Sequence, residues 1–192
     1  MKMKTIIFVT SNKGKTQEVK KILKGLRVSV KPIDLREAKH FTHEQLVRKK
    51  AKDAFKIVGK PVVIEDTGLF VEGFKNYPGL RSREVIEKIG LKKFARKCGG
   101  HRAFFRTIAA YCDGNRLVLF KGICQGKIAK AVFQRKIPHL PFLGVFVPKG
   151  ESKPVAAFSK KELEKFLVET NHRAKAFRKF EKWFSRSRGK RH

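Results

Sequence analysis

The sequence contains few acidic residues for its length. Only 16 of the 192 residues are Asp or Glu, against 47 Lys or Arg, so the formal net charge is +31. Solubility requires a net charge of only about 2 to 8 in a small domain, and the excess predicts a polyanionic partner. Nucleic acid is the first candidate, because binding to phosphates releases counterions. An anionic membrane surface is the alternative, but no basic amphipathic anchor helix stands out.

The sequence also has few cysteines and no long hydrophobic run. The three cysteines, Cys98, Cys112 and Cys124, lack the spacing of a metal site, so we expect free thiols in a reducing compartment. No apolar run reaches the roughly 20 residues that span a bilayer. The first residues, MKMKTIIFVTSN, fit a strand better than a signal peptide. We therefore predict a cytoplasmic protein with no membrane partner.

Apolar residues and turn signals divide the chain into alternating strands and helices. Apolar residues make up 41% of the sequence, and 17 Phe residues against one Trp predict a Phe-rich core. Strands are predicted at Thr5–Val9, Val28–Ile33, Arg102–Tyr111 and Arg116–Ile123, a strand and turn over Val62–Val71, and helices after Lys15, over Asp34–Ile57, over Glu84–Cys98 and from Ser159. We predict one α/β domain over residues 1–184 and a basic tail over residues 185–192.

The central segment, VVIEDTGLFVEGFKNYPGL, places two carboxylates after a short buried strand. Glu65 and Asp66 follow three β-branched residues and precede Thr67-Gly68, which favours a strand that leads into a turn. Carboxylates at such a position are unfavourable to desolvate unless a metal ion or a lysine lies beside them. The alternative is a surface turn in which both acids are solvated.

A second segment, TSNKGKTQEV, predicts a turn that enters the first helix. Backbone N–H groups at a helix start, together with a nearby lysine such as Lys15, can bind phosphate. The glycine spacing is not that of a Walker A loop. An ordinary connection between a strand and a helix is the alternative.

These two segments resemble the inosine/xanthosine triphosphate pyrophosphatase family, also called Ham1-like. Two further matches to the family are Gly122…Gly126-Lys127-Ile128 and Asn171-His172-Arg173. The resemblance covers nearly the whole chain and is closest in character to archaeal members. It implies a two-lobed α/β fold with a central mixed sheet flanked by helices and a smaller antiparallel lobe. It also implies a homodimer, if the family's assembly is retained.

The resemblance assigns roles to the carboxylates if the chain is active. Asp66 would be the general base or a metal ligand, and Glu65 beside it would help to hold Mg²⁺. The family uses one further Glu as a ligand, for which Glu37 and Glu44 are the candidates.

The resemblance also assigns substrate contacts. Asn12 and Lys15 match the family positions that hold the triphosphate, and His172 and Arg173 match positions that complete substrate binding. The alternative for His172-Arg173 alone is a structural role on a helix.

The chain departs from the family pattern in two places. The family has a GFGYDP-like motif, in which an aromatic residue stacks on the base. In this chain Leu140 occupies the position of that aromatic residue, and Leu143 occupies the position of the motif's acid. In the family's K-N-x-x-S-H-R motif, the Lys and Asn positions are Leu167 and Val168. A site without a stacking group would lose roughly 1–3 kcal/mol of binding for each base.

Two hypotheses remain, and the charge decides between them. In one, the chain is a Mg²⁺-dependent pyrophosphatase that hydrolyses ITP or XTP to the monophosphate. In the other, which we favour here, it is a catalytically degenerate pseudoenzyme that binds RNA without a cofactor. Ribosomal RNA and neighbouring ribosomal proteins are then the expected partners, in a ribosome-associated location. The expected RNA contacts are Lys49, Lys50, Arg81, Arg83, Arg178, Lys179, Arg186, Arg188, Lys190 and Arg191.

Overall fold

Strands and helices alternate through most of the chain. The computed structural model of the protein describes residues 3–35, 41–75, 77–135 and 140–187. The strands are β1 (Thr5–Val9), β2 (Arg27–Lys31), β3 (Val62–Val71), β4 (Pro78–Gly79), β5 (Arg102–Cys112), β6 (Leu117–Ile128) and β7 (Phe146–Pro148). The α-helices are α1 (Lys13–Ile22), α2 (His43–Val58), α3 (Ser82–Cys98), α4 (Lys160–Lys165) and α5 (His172–Ser187). Among these residues, no helix is long and apolar enough to cross a bilayer.

The strands form a mixed sheet, as predicted. Their order is β2-β1-β3-β5-β6-β7, with β4 paired to β3. The pairs β1–β2 and β1–β3 are parallel, whereas β3–β4 and β6–β7 are antiparallel. The predicted α/β class with a central mixed sheet and flanking helices is therefore confirmed.

The chain divides into two compact units. The first unit comprises Met1–Asp66, Thr107–Gly122 and His172–His192, and the second comprises Thr67–Arg106 and Ile123–Asn171. Strands β3, β5 and β6 contribute residues to both. Helix α5 continues to Ser187, three residues beyond the predicted end of the domain at residue 184. That residues 1–184 act as one domain stays a prediction.

The first unit packs helices on both faces of its strands. Neighbouring residues of a strand point to opposite faces. Val63 accordingly packs in one apolar cluster with residues of α1 and α5. Ile64 packs in another with residues of α2, including Val47. Strand β3 is therefore buried on both sides in this unit.

The second unit has a core rich in phenylalanine, as the composition predicts. Phe94, Phe105, Phe142 and Phe146 are buried there, and their rings meet edge to face at centroid distances of 4.7 to 6.3 Å. Each such contact contributes about 0.5–1.5 kcal/mol beyond the burial of area.

Local signals fix the two helices that reach the centre of the first unit. The Asn12 side chain caps α1 by accepting from the backbone N–H of Lys15 at 3.1 Å. Helix α2 begins with a capping box between Thr42 and Gln45, which satisfies N–H groups that the helix itself leaves unbonded. It ends at Gly59, whose φ of 65° is a left-handed conformation that glycine adopts readily.

Candidate active site

The two central carboxylates lie within a continuous strand. We predicted that Glu65 and Asp66 end a strand before a turn, but β3 runs unbroken for ten residues through Thr67 and Gly68. Position 68 favours glycine because a Cβ there would come within 2.9 Å of the Gly79 carbonyl oxygen of the paired strand. Because they are neighbours on a strand, the two carboxylates point to opposite faces of the sheet.

Asp66 points to the face covered by α2. Its Oδ1 lies 3.1 Å from Nζ of Lys50, and its Oδ2 lies 3.2 Å from Nε2 of His43. His43 and Lys50 are both buried. They are seven residues apart, which is about two helical turns and places both on the same side of the helix.

These neighbours control the ionisation of Asp66. Burial alone would raise the pKa of this carboxyl. The hydrogen bond from His43 and the positive charges of Lys15 and Lys50 outweigh burial and hold its pKa well below the usual range. Asp66 is therefore a buried carboxylate that remains ionised at neutral pH.

Glu65 points to the face covered by α1 and α5. Its Oε1 lies 2.9 Å from Nζ of Lys15 and 3.5 Å from Nη2 of Arg173. The same guanidinium donates to Oε2 of Glu18 at 2.7 Å through Nη1. Burial alone would lower the pKa of Arg173, but the charges of Glu65 and Glu18 raise it above its ordinary value. A buried network of alternating charges therefore ties α1, β3 and α5 together.

His172 lies beside this network and is held neutral. Its Nδ1 lies 2.6 Å from Oγ1 of Thr107. Burial, followed by the positive charge of Arg173, lowers the pKa of His172 well below its usual value. The start of α5 lies very close to β6, because a Cβ on Gly122 would come within 1.9 Å of the His172 carbonyl oxygen.

The predicted phosphate-binding residues lie at the start of α1. The Lys15 side chain is 22% exposed, so it contacts both the buried Glu65 and the surface. Asn12 caps the helix with its side chain. The structure thus brings Lys15 and Arg173 together at Glu65. Their contacts with a substrate, like those of Asn12 and His172, stay predictions.

Glu65 and Asp66 do not fit a Mg²⁺ ion held between them. They point to opposite faces, and cationic side chains already contact Oε1 of Glu65 and Oδ1 of Asp66. Glu44 forms an ion pair with Lys121 at an exposed position, and Glu37 lies outside the described residues. Within residues 3–35, 41–75, 77–135 and 140–187, no group of three or more Asp, Glu, His or Cys residues could hold a metal.

The departures from the family pattern fill the core of the second unit. Leu143 is buried in the Phe-rich cluster, and Leu140 and Leu167 pack against it. Val168 lies in a short π-helical segment, Phe166–Thr170. The structure therefore gives Leu140, Leu143 and Leu167 a packing role.

Most of the predicted RNA contacts are exposed, with one clear exception. Lys50 is 8% exposed and bonds Asp66, so its prediction as an RNA contact is wrong. Lys49 and Arg83 form surface ion pairs with Asp53 and Glu87. Arg81, Arg178, Lys179 and Arg186 are exposed, while Arg188, Lys190 and Arg191 lie outside the described residues.

Two buried residues of the candidate site were missed from the sequence. His43 and Glu18 were not singled out, although each lies at helical spacing from apolar residues of its helix. His43 precedes Leu46 and Val47 by three and four positions, and Glu18 precedes Ile22 by four positions on the buried side of α1. A polar residue on an apolar helix face is the signal that could have identified both.

Comparisons with known proteins agree with the resemblance. The profile of the Ham1 family matches residues 6–183. The chain is 31% identical over 185 residues to a dITP/XTP pyrophosphatase of Methanopyrus kandleri, covering 93% of this chain and 95% of the relative. It is 32% identical over 183 residues to the dITP/XTP pyrophosphatase of Thermococcus kodakarensis, covering 93% and 96%. A solved Ham1 protein of Coxiella burnetii shares the fold, with a TM-score of 0.77 at 19% identity over 95% of this chain and 99% of that one.

These relatives overturn the functional hypothesis that we favoured. The prediction of a ribosomal, RNA-binding pseudoenzyme is wrong, because relatives that cover most of the chain are named as pyrophosphatases. The predicted ribosomal RNA and ribosomal protein partners fall with it. The error has a physical reason: net charge bears on solubility and association kinetics, and it does not identify a partner.

Proposed function

The chain belongs to the Ham1 family, and from this premise we propose that it is a nucleoside triphosphate pyrophosphatase. Its substrates would be deaminated purine nucleotides such as dITP and XTP, the nucleotides in the names of its relatives. The products would be the nucleoside monophosphate and pyrophosphate. The observation that carries this proposal is the buried, ionised carboxylate of Asp66 between His43 and Lys50.

A purely structural role explains this arrangement poorly. The desolvation of buried ion pairs offsets most of their attraction, and apolar residues of similar volume often stabilise a protein as well or better. A strongly perturbed carboxyl with specific charged partners is instead characteristic of active sites. Because the buried charges around Asp66 add little to stability, their presence supports a catalytic role for this carboxylate.

Hydrolysis at the phosphorus nearest the nucleoside requires an activated water and positive charge near the phosphates. Asp66 would accept a hydrogen bond from the water and then its proton, while Lys15 and Lys50 would contact the phosphate oxygens. In the protein alone, these lysines lower the pKa of Asp66. A triphosphate that attracts the two ammonium groups would raise that pKa, so substrate binding itself would make Asp66 a stronger base.

Mg²⁺ was the cofactor that the resemblance implied, and the names of the relatives do not include a metal. Because Glu65 and Asp66 do not fit an ion between them, we assign no resident metal to the pair and no step to it. Mg²⁺ in proteins is commonly bound by one or two carboxylates and by substrate phosphates. An ion that accompanies the triphosphate fits the described residues better than one held by the protein alone.

The test is pyrophosphate release from dITP, XTP and ATP in a buffer containing Mg²⁺. We expect turnover of dITP and XTP in preference to ATP. Asp66→Asn should lower kcat by roughly 10²- to 10⁴-fold, the usual contribution of general base catalysis. Asp53→Asn is the matched control, because Asp53 is on α2 and pairs with Lys49 at the surface. A folded wild-type protein that releases no pyrophosphate from dITP or XTP would overturn the proposal.

A further inference from the structure

His43 is the neighbour of Asp66 for which the proposed reaction has not yet given a role. We propose that His43 is a positioning residue that fixes the orientation of the Asp66 carboxylate for the attack of water. This inference rests on the proposed function and concerns the same site. It assigns His43 no contact with the nucleotide.

The geometry around Nε2 of His43 carries the proposal. This nitrogen lies 3.2 Å from Oδ2 of Asp66 and 3.3 Å from the backbone oxygen of the same residue. Both oxygens are acceptors, so Nε2 must carry the hydrogen whatever the charge of the ring. One N–H group therefore contacts the main chain and the side chain of Asp66 together, which restricts rotation of the carboxylate relative to β3.

Lys50 completes this restriction from the next part of the helix. Its Nζ contacts Oδ1, so each carboxylate oxygen has a different partner. A lysine holds its ammonium on a flexible chain, whereas the imidazole of His43 has only two side-chain torsions. The directional constraint on Asp66 therefore comes mainly from His43, whereas Lys15 and Lys50 supply positive charge.

The start of α2 holds the imidazole in place. His43 is the first residue of the helix, directly after the capping residue Thr42. The Thr42 hydroxyl accepts from the backbone of Gln45 at 3.3 Å, and the Gln45 side chain accepts from the backbone of Thr42 at 2.9 Å. The capped first turn fixes the backbone of His43, and burial holds the imidazole ring against β3.

Steady-state kinetics of His43 variants on dITP test the proposal. His43→Leu has a side chain of similar size but no hydrogen-bond donor. Its kcat should fall by roughly 10- to 100-fold with little change in KM, as expected for a misplaced catalytic group. His43→Gln places an amide N–H near the position of Nε2 and should recover most of the lost kcat. His101→Gln is the control, because His101 is an exposed histidine of the second unit.

The possible outcomes separate the role of His43 from the proposed pyrophosphatase activity. Equal kcat for His43→Leu and wild type, or no recovery in folded His43→Gln, would overturn the role of His43 while leaving the pyrophosphatase proposal intact. An inactive wild-type protein would remove both. A ¹H–¹⁵N correlation spectrum of the wild-type histidine rings needs no variant: a hydrogen on Nε2 of His43 is expected, and one on Nδ1 alone would contradict the proposal.

Discussion

The two units of the chain bury different kinds of side chain. Among the described residues, every buried acidic or basic side chain lies in the first unit: Glu18, His43, Lys50, Glu65, Asp66, His172 and Arg173. The core cluster of the second unit consists of apolar residues, many of them phenylalanine. Burial of charge is unfavourable unless each charge has a partner. Among the described residues, buried charge is therefore concentrated in the first unit, and the second unit has an apolar core.

The largest expected effect comes from breaking the charge network of the first unit. Arg173→Met leaves Glu18 and Glu65 buried with much less compensating charge, and the free energy of unfolding should fall by about 3–5 kcal/mol. Urea unfolding measures this change. Arg178→Met, at an exposed position of the same helix, should change stability by no more than about 0.5 kcal/mol. Equal unfolding midpoints for the two variants would show that the network is not a stability determinant.

In the second unit, a core truncation should affect stability without changing the chemistry. Leu143→Ala removes a buried side chain from the Phe-rich cluster, so we expect a loss of about 2–5 kcal/mol. The folded variant should keep kcat and KM for dITP. Phe133→Ala, at a side chain that is 44% exposed, is the control. A folded Leu143→Ala protein with impaired turnover would extend the site into the second unit and break the comparison.

The dependence of stability on pH should also distinguish the units. The pKa of His172 is lower in the folded protein than its ordinary value of 6.5, so the unfolded chain binds more protons below that pH. Stability contributed by the neutral ring is present above pH 6.5 and declines as the pH falls, by up to about 1.4 kcal/mol per pH unit. Denaturation at pH 7.5 and 5.5 should reveal this slope. His172→Gln should reduce it, and an unchanged slope in that variant would contradict the expectation.

The smallest expected effect concerns metal. Because Glu65 and Asp66 face opposite sides of the sheet, millimolar MgCl₂ without nucleotide should leave the melting temperature nearly unchanged. Thermal unfolding with MgCl₂ and with EDTA measures the difference. A clear rise with Mg²⁺ alone would contradict this expectation and show that the protein binds the metal without nucleotide.

Local signals in the sequence were sufficient for most of the fold. Runs of apolar residues located β1 and β3, the predicted strands Arg102–Tyr111 and Arg116–Ile123 correspond to β5 and β6, and the helix predicted from Ser159 is α4, which Ser159 caps. These features depend on residues close in sequence. The turn predicted at Thr67-Gly68 was wrong, because a glycine in a strand can serve a close approach of another strand as well as a turn.

The partners of the carboxylates could not be predicted in the same way. Glu65 and Asp66 were singled out from the sequence, but the cations beside them come from α1, α2 and α5, up to 108 residues away. Adjacent acids also suggest a shared ion, whereas the alternation of a strand separates them. The role of Lys50 was missed because a lysine within a run of basic residues has no sequence signal that distinguishes a buried position from an exposed one.

The spacing between His43 and Lys50 has a consequence for how this protein can vary. Each added or deleted residue rotates one part of an α-helix relative to the rest by about 100°. An insertion anywhere between these two positions would therefore turn one of them away from the carboxylate that both contact. Helix α2 therefore cannot gain or lose a residue between His43 and Lys50 without the loss of one of the two contacts with Asp66.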